Sequence, residues 1–157
     1  MTMLMTDAIR LFLFPLLMAF SAFSDLFTMT ISNRVSILLI AGFAVMAALI
    51  GMNLSDILLH AGAGCIGGGD GMLAAATALW LGFGTLLEYL LTASIFGGAL
   101  TLVIMRFRLM PMPALLQGQE WAMRLHRVDA GVPYGIALAA AALTVYPHTI
   151  WMKPLGL

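Results

Sequence analysis

The chain has 157 residues, of which 62% are hydrophobic and 9% are charged, and its formal net charge is zero. A soluble domain averages about 45–50% apolar and about 25% charged residues, so this composition excludes an ordinary soluble domain and predicts an integral protein of the lipid bilayer. The balanced charge argues against nucleic acid or another polyanion as a partner, and the single cysteine, Cys65, excludes an internal disulfide and a paired-cysteine metal module.

The first apolar segment starts at about residue 5 or 8 and covers the chain up to residue 24. Arg10 stands before its apolar run, as in a signal peptide, but an acidic residue also precedes the run and no clean cleavage pattern follows. We therefore predict a retained transmembrane helix that bends at Pro15, which a membrane bundle can accommodate. Asp25 follows this helix directly.

A glycine-rich stretch interrupts the middle of the chain. The second apolar segment, residues 35–52, follows a polar turn, and the third, residues 57–66, is too short to span a membrane alone because a span needs about 20 residues. The glycines of residues 64–71 then break the helical pattern. Non-helical backbone at membrane depth persists only where it lines a cavity or is buried in protein, so Asp70 is predicted to face a site.

Three further apolar segments cover about residues 70–83, 86–107 and 132–151. The polar stretch between the last two contains a portion, residues 115–126, that is typical of a helix lying at the membrane interface, with Trp121 as an anchor. The predicted fold class is therefore an all-α membrane protein. We expect one domain over residues 1–157, built as a polytopic bundle of six transmembrane helices.

The distribution of basic residues predicts the orientation of this bundle. If the turn after Asp25 is inside the cell, five arginines lie inside, whereas Arg10 and Lys153 lie outside, as the positive-inside rule favours. Both termini are then outside, and Asp25 and Asp70 lie at the same inner face. The five inner arginines are Arg34, Arg106, Arg108, Arg124 and Arg127. The aromatic residues expected to form a belt at the outer interface are Trp80, Tyr89, Tyr146 and Trp151.

Three glycines, Gly67, Gly68 and Gly69, immediately precede Asp70. An aspartate in hydrocarbon costs roughly 3 kcal/mol on insertion scales, so a chain keeps one where it is paired, solvated or used. The glycines remove side-chain bulk and let another backbone, or a substrate, approach Asp70. If Asp25 lies close, one of the two carboxyl groups must hold a proton. Such a pair can hydrolyse a peptide by acid–base catalysis without a metal or a covalent intermediate.

Two functions of other classes also suit a pair of membrane aspartates. A proton-coupled transporter subunit would use them for flux, although the six segments show no clear inverted repeat. A non-catalytic assembly scaffold would tolerate the replacement of both aspartates without loss. No metal or other cofactor is expected, because His60, His126 and His148 lie in separate segments without a ligand partner at helical spacing.

Three motifs resemble those of the type IV prepilin peptidases. Gly67-Gly68-Gly69-Asp70 matches the GxGD motif of intramembrane aspartic proteases. Ser24-Asp25-Leu26, followed by Ile31-Ser32-Asn33-Arg34, resembles the first-aspartate motif of this family. Val132-Pro133-Tyr134-Gly135 resembles the start of the last helix in the family's small members, which serve Flp/Tad-type pili and lack a methyltransferase domain.

The resemblance implies an aspartic endopeptidase of the bacterial inner membrane with Asp25 and Asp70 as catalytic residues. Gly67, Gly68 and Gly69 would give the substrate access to them. The implied substrate is a prepilin or pseudopilin with a short basic leader that ends in glycine, cleaved on the cytoplasmic side.

The chain departs from the family pattern at four positions. Met72 stands where relatives usually carry lysine, and Ser32 stands where they usually carry proline. Phe27 and Met29 occupy positions that are usually basic. The chain also lacks the large insertion with paired CxxC motifs, so a methylating activity is not predicted.

Overall fold

A computed structural model describes residues 6–67 and 71–153 of the chain, and every regular element in these ranges is helical. In chain order the helices are α1 (Thr6–Thr28), α2 (Asn33–Ile50), α3 (Leu54–Gly67), α4 (Met72–Leu81), α5 (Phe83–Leu109), α6 (Glu120–His126) and α7 (Tyr134–Val145). Short 3-10 turns, Ala114–Leu116 and Tyr146–His148, precede α6 and follow α7. The all-α class and the order of the segments are confirmed. Of the predicted interfacial helix, residues 115–126, only the part that forms α6 is α-helical, and its place at the interface stays a prediction.

Helix α1 contains a π-helical turn, Ile9–Leu13, directly before the turn that holds Pro15. Proline has no N–H to donate and its ring crowds the preceding turn, and a wider π turn is one way in which a helix accommodates this. The helix ends at Met29, whose φ of 52° is left-handed and whose N–H donates to the carbonyl of Asp25.

Only three of the described helices, α1, α2 and α5, are long and apolar enough to cross a membrane. Helices α3, α4 and α7 have 14, 10 and 12 residues, whereas a span needs about 20. The described chain therefore has three candidate spans instead of six helices of spanning length. Hydropathy alone overestimated the last segment, because Pro133 precedes α7 and Pro147 belongs to the 3-10 turn that follows it.

Helix α7 is nevertheless held to α1 over most of its length. At one end, the Gly135 N–H donates to the Asp25 carboxylate at 2.6 Å. At the other end, the Tyr146 hydroxyl donates to the carbonyl of Arg10 at 2.9 Å. We call these two ends of the bundle the Asp25 end and the Arg10 end. Helix α7 therefore runs antiparallel to α1. Although it is short, α7 and the turn that follows it contact α1 at both ends.

A buried aromatic cluster fills the Arg10 end. The rings of Trp80 and Trp151 have centroids 5.4 Å apart, and Phe14 stacks on Tyr146 at 4.4 Å. The Trp80 indole N–H donates to the carbonyl of Leu39, and that of Trp151 donates to the carbonyl of Trp80. Buried indoles find such partners within the protein.

The predicted aromatic belt is wrong for this reason. Trp80, Tyr89, Tyr146 and Trp151 are at most 3% exposed, whereas a belt residue faces the lipid headgroups. Tyr89 also lies apart from the other three, on the wall of the cavity at the Asp25 end.

The arginine-rich loops pack at the Asp25 end. Arg124 in α6 donates to the carbonyl of Phe27 at 3.2 Å, and Trp121 contacts the Phe27 ring. Arg108 donates to the carbonyls of Leu125, Ala130 and Gly131. Arg34 belongs to the first turn of α2, immediately after the turn that follows Asp25. These basic residues therefore gather at one end of the bundle.

Candidate active site

A cavity of about 890 Å³ opens at the Asp25 end of the bundle. Its walls come from α1, α2, α4, α5 and α7, so residues that are far apart in the sequence meet there. The wall residues used below are Asp25, Ser36, Gly71, Tyr89, Gly98 and Gly135. Binding sites for small ligands range over about 300–1,000 Å³, so the cavity has room for a short peptide segment.

Asp25 lies in the last turn of α1 and is 5% exposed. Its Oδ2 accepts the hydrogen bond from the Gly135 N–H, which belongs to the first turn of α7. The first N–H groups of a helix have no partner within the helix and carry partial positive charge. They therefore stabilise a carboxylate, and this contact fixes the direction of the Asp25 side chain.

Gly135 has no room for a side chain. A Cβ at this position would lie 2.7 Å from Asp25 Oδ2 and 2.7 Å from Ile31 Cδ1. Both distances are far below van der Waals contact, so any other residue would move α7 or displace the carboxylate. This is the physical reason for a glycine after Pro133 and Tyr134 at the start of α7.

Side chains of the turn after Asp25 hold the turn in place. The Ser24 hydroxyl donates to the carbonyl of Thr30 at 3.0 Å, and that of Thr28 donates to the carbonyl of Ser24 at 2.7 Å. Ser32 is the N-cap of α2, since its hydroxyl accepts the N–H of Arg34 at 3.3 Å. A proline at residue 32 has no hydroxyl and could not provide this cap. Serine at this position therefore gives α2 a capped N-terminus.

The second predicted carboxylate, Asp70, lies outside the described residues, as do Gly68 and Gly69. Gly67 is the last residue of α3. Gly71, which is bonded to Asp70, is described. It is the N-cap of α4 and lies on the wall of the cavity, as do Met72 and Asp25. The pairing of Asp25 with Asp70 stays a prediction.

The cavity also includes two polar residues that the sequence analysis did not place at the site. Ser36 in α2 and Tyr89 in α5 are 1% and 0% exposed and lie on its wall. Their only signal in the sequence is a hydroxyl within an apolar helix, and the helical pattern does not say which face it occupies.

Gly97 and Gly98 have different surroundings, although two adjacent glycines in a membrane helix predict a close contact with another helix at both positions. A Cβ on Gly97 would lie 2.6 Å from the Tyr134 ring, so the expectation is confirmed there. A Cβ on Gly98 would meet nothing within 4 Å, and Gly98 lies on the cavity wall. The expected close contact is wrong for Gly98.

Two of the three histidines have a ring nitrogen within hydrogen-bond distance of another group of the protein. His60 Nδ1 lies 2.7 Å from the Leu79 carbonyl, and His148 Nδ1 lies 2.8 Å from Glu88 Oε1. Within residues 6–67 and 71–153, no three His, Cys, Asp or Glu side chains form a group that could hold a metal ion.

Residues 12–102 match the family model described as the type IV leader peptidase family. The chain belongs to the type IV leader peptidase family. The matched part is more than half of the chain and includes Asp25, Asp70 and the glycines before Asp70. No curated protein and no solved structure matches the chain.

Type IV leader peptidases are proteases, and this member has the apolar helices of a membrane protein. Its Asp25 carboxyl group lies on an open cavity and is held by one backbone N–H. A carboxyl group in such a place can exchange a proton with a bound water or peptide.

Proposed function

We propose that this protein is a prepilin leader peptidase of the bacterial inner membrane. It cleaves the basic leader of Flp-type prepilins on the cytoplasmic side, with Asp25 and Asp70 as its two catalytic carboxyl groups. The observation that carries the proposal is that Asp25 shares a cavity with Gly71, the residue bonded to Asp70. The family match, which covers both aspartates, supports the proteolytic chemistry.

The proposed reaction uses one ionised and one protonated carboxyl group. The ionised group accepts a proton from a water molecule while the water oxygen bonds to the carbon of the scissile peptide. The protonated group donates its proton to the carbonyl oxygen, which gives a neutral tetrahedral intermediate. The C–N bond then breaks while the nitrogen takes a proton from the carboxyl group that accepted one, and a hydroxyl of the intermediate returns a proton to the carboxylate that donated one. The amine and the carboxylic acid leave, and both carboxyl groups are back in their starting states. No step needs a metal or a covalent intermediate.

The proposed substrate suits the position of the cavity. A prepilin has a basic leader followed by a hydrophobic helix, so its scissile bond would lie where the membrane meets the cytoplasm. The cavity lies where α1 ends and α2 begins, and the arginine-rich loops pack at the same end of the bundle. The positive-inside rule would make this end cytoplasmic.

Three arginines of the loops at this end have partners within the protein. Arg108 and Arg124 donate to backbone carbonyls. Arg127 pairs with Asp129, which lowers the pKa of the Asp129 carboxyl group. These contacts support a role in loop structure and orientation.

Asp25→Asn and Asp70→Asn test the proposal. Asparagine keeps the size of the side chain but cannot exchange a proton as a carboxyl group does, so each variant should lose at least about 100-fold in cleavage. Asp129→Asn is the matched control and should cleave at the parental rate, since Asp129 is exposed and pairs only with a neighbouring arginine in its loop. The measurement is the mobility shift of a co-expressed Flp-type prepilin at equal enzyme levels.

Near-parental processing by Asp25→Asn or Asp70→Asn would show that the dyad is assigned wrongly. An unprocessed prepilin in the presence of the parent protein would contradict the peptidase function itself. A second prepilin with a longer leader, tested in parallel, determines whether the Flp-type substrate is preferred.

A further inference from the structure

One face of α5 lines the Asp25 cavity and is also exposed on the outside of the bundle. It consists of Leu90, Ser94 and Gly98, which follow one another at four-residue spacing. All three residues are exposed, Leu90 to 38%. A residue that both lines a cavity and is exposed lies at an opening of that cavity. The cavity therefore opens sideways along this part of α5, which we call the open face of α5.

The open face runs from the level of Asp25 toward the Arg10 end of the bundle. Beside its Gly98 end, α5 meets the Tyr134 ring, and the same first turn of α7 holds the Asp25 carboxylate. Toward the start of α5, Glu88 Oε1 lies 2.8 Å from His148 Nδ1, in the turn that reaches the Arg10 end. Eight residues of helix rise by about 12 Å. The open face is therefore long enough to contact two turns of another helix.

The open face has room for a close partner and offers it little polarity. A Cβ on Gly98 would meet nothing within 4 Å. The Ser94 hydroxyl donates to the carbonyl of Leu90 at 2.8 Å, so its proton already has an acceptor. Small residues four positions apart let two membrane helices approach closely. These features favour an apolar helix as the partner of this face.

A second observation at the same cavity points to a bound molecule. Asp25 is 5% exposed, and its Oδ2 accepts the N–H of Gly135. Its Oδ1 accepts no hydrogen bond from any residue within 6–67 and 71–153. A buried carboxylate oxygen without a donor is unfavourable, and a donor that enters the cavity would satisfy it. The cavity beside the open face therefore has a polar group that suits a ligand.

The proposed substrate has two parts with different requirements. Its basic leader belongs in water, whereas the hydrophobic helix that follows must stay in the hydrocarbon. When the scissile bond lies beside Asp25, this helix begins near Gly98 and has to leave the cavity on a side that faces lipid. It then leads from the cytoplasmic side outward, which is the direction from the Asp25 end to the Arg10 end. The open face has this position and this direction.

We propose that the hydrophobic helix of a bound prepilin packs along the open face of α5, with its first two turns against Gly98 and Ser94. This rests on the proposed peptidase function and names the surface that positions the substrate. Close approach at the two small residues holds the helix beside α5, so the peptide bond that precedes it lies at Asp25. The contact depends on the shape of an apolar helix and not on one leader sequence.

Disulfide cross-linking in membranes tests where the helix lies. The enzyme carries Cys65→Ser and Asp25→Asn, so it has no natural cysteine and leaves the leader attached. Ser94→Cys in this protein should form a disulfide with a cysteine in the first two turns of a prepilin helix, since the two Cβ atoms would come within about 3.5–4.5 Å.

Two other positions are matched controls for the cross-link. Ile95→Cys is the neighbour of Ser94 and is 68% exposed, but it does not line the cavity. The natural Cys65 is exposed in a separate apolar groove between α2, α3 and α4. Neither cysteine should form a disulfide with the same prepilin.

Gly98→Leu gives a kinetic measurement of the same contact. The larger side chain would occupy the place of the substrate helix, so KM should rise about tenfold at an unchanged kcat, as a loss of uniform binding does. Gly84→Leu is the control from the same helix, because a Cβ there also meets nothing within 4 Å and Gly84 lies outside the cavity wall. It should keep the parental KM, and both variants should unfold at the parental temperature in detergent micelles.

Each other outcome overturns the inference. Equal cross-linking at Ile95→Cys would mean that the helix meets α5 only from the lipid side, and cross-linking at Cys65 would place it in the other groove. A disulfide between two enzyme copies at Ser94→Cys would make the open face a self-association surface. If no disulfide forms at Ser94→Cys while the parent protein cleaves the prepilin, lipid covers the face and the peptidase function stands. A parent protein that cleaves no prepilin contradicts the proposed function, and this inference with it.

Discussion

Asp25 is held by one backbone N–H from a residue that is 110 positions away in the sequence. The donor belongs to the first turn of α7, and the glycine there has no side chain to block the approach. A carboxylate at the end of α1 and a glycine at the start of α7 are thus two parts of one feature. The Gly135 contact explains why the last helix must begin where it does, beside the end of the first.

Gly135→Ala should reduce cleavage and stability together. The new Cβ would lie 2.7 Å from Asp25 Oδ2, and overpacking of a buried site costs roughly 1–3 kcal/mol. Gly131→Ala, in the loop just before α7, is the control, since a Cβ there meets nothing within 4 Å. Thermal unfolding and prepilin cleavage, measured on both variants, check this. If Gly135→Ala behaved like Gly131→Ala, the close contact between Asp25 and α7 would be wrong.

At the scale of the elements, the short helices are placed by their ends and their small residues. Helix α5 approaches α7 at Gly97, where a Cβ would lie 2.6 Å from the Tyr134 ring. Close contact at such small residues is typical of helix pairs in membranes, where van der Waals packing drives association. The two helices in contact here both contribute to one cavity, α5 through Tyr89 and α7 through Gly135.

Gly97→Leu should weaken this contact. The larger side chain cannot fit against Tyr134, so we expect a loss of roughly 1–3 kcal/mol in the free energy of unfolding. Gly84→Leu, in the same helix, should change stability much less because nothing lies within 4 Å of a Cβ there. Denaturant unfolding in mixed micelles measures both. Equal destabilisation by the two variants would show that α5 is sensitive to any added bulk.

At the scale of the whole molecule, the bundle has two distinct ends. The Asp25 end holds the cavity and the arginine-rich loops, and the Arg10 end holds the aromatic cluster. Helix α4 extends from Gly71 at the cavity to Trp80 in the cluster, and α7 extends from Gly135 to the Tyr146 turn beside Arg10. Both helices therefore connect the two ends, although each is shorter than a standard span.

This arrangement predicts the membrane topology. A reporter fused after Arg108 should behave as cytoplasmic, and one fused after Leu157 should behave as external, because α7 leads from the Asp25 end to the Arg10 end. If only α1, α2 and α5 crossed the bilayer, the reporter after Leu157 would be cytoplasmic. Alkaline phosphatase and a cytoplasmically active reporter at both positions distinguish the two topologies.

The sequence by itself determined the features that depend on composition and local pattern. The apolar content predicted a membrane protein, the glycine-rich stretch predicted a break in the helices, and the motifs around Asp25 and Asp70 indicated the leader peptidase family. Each of these follows from the composition or from residues close together in the chain, so no contact between distant helices was needed to identify them.

Only the tertiary structure decided which residues share the cavity with Asp25. Tyr89 was expected at the outer interface and is buried on the cavity wall, and Ser36 was not singled out. In an apolar membrane helix every face is hydrophobic, so periodicity does not show which side meets the protein interior. That choice is made by contacts between distant helices, as when Gly135 meets Asp25, because close packing depends on the shapes of both partners at once.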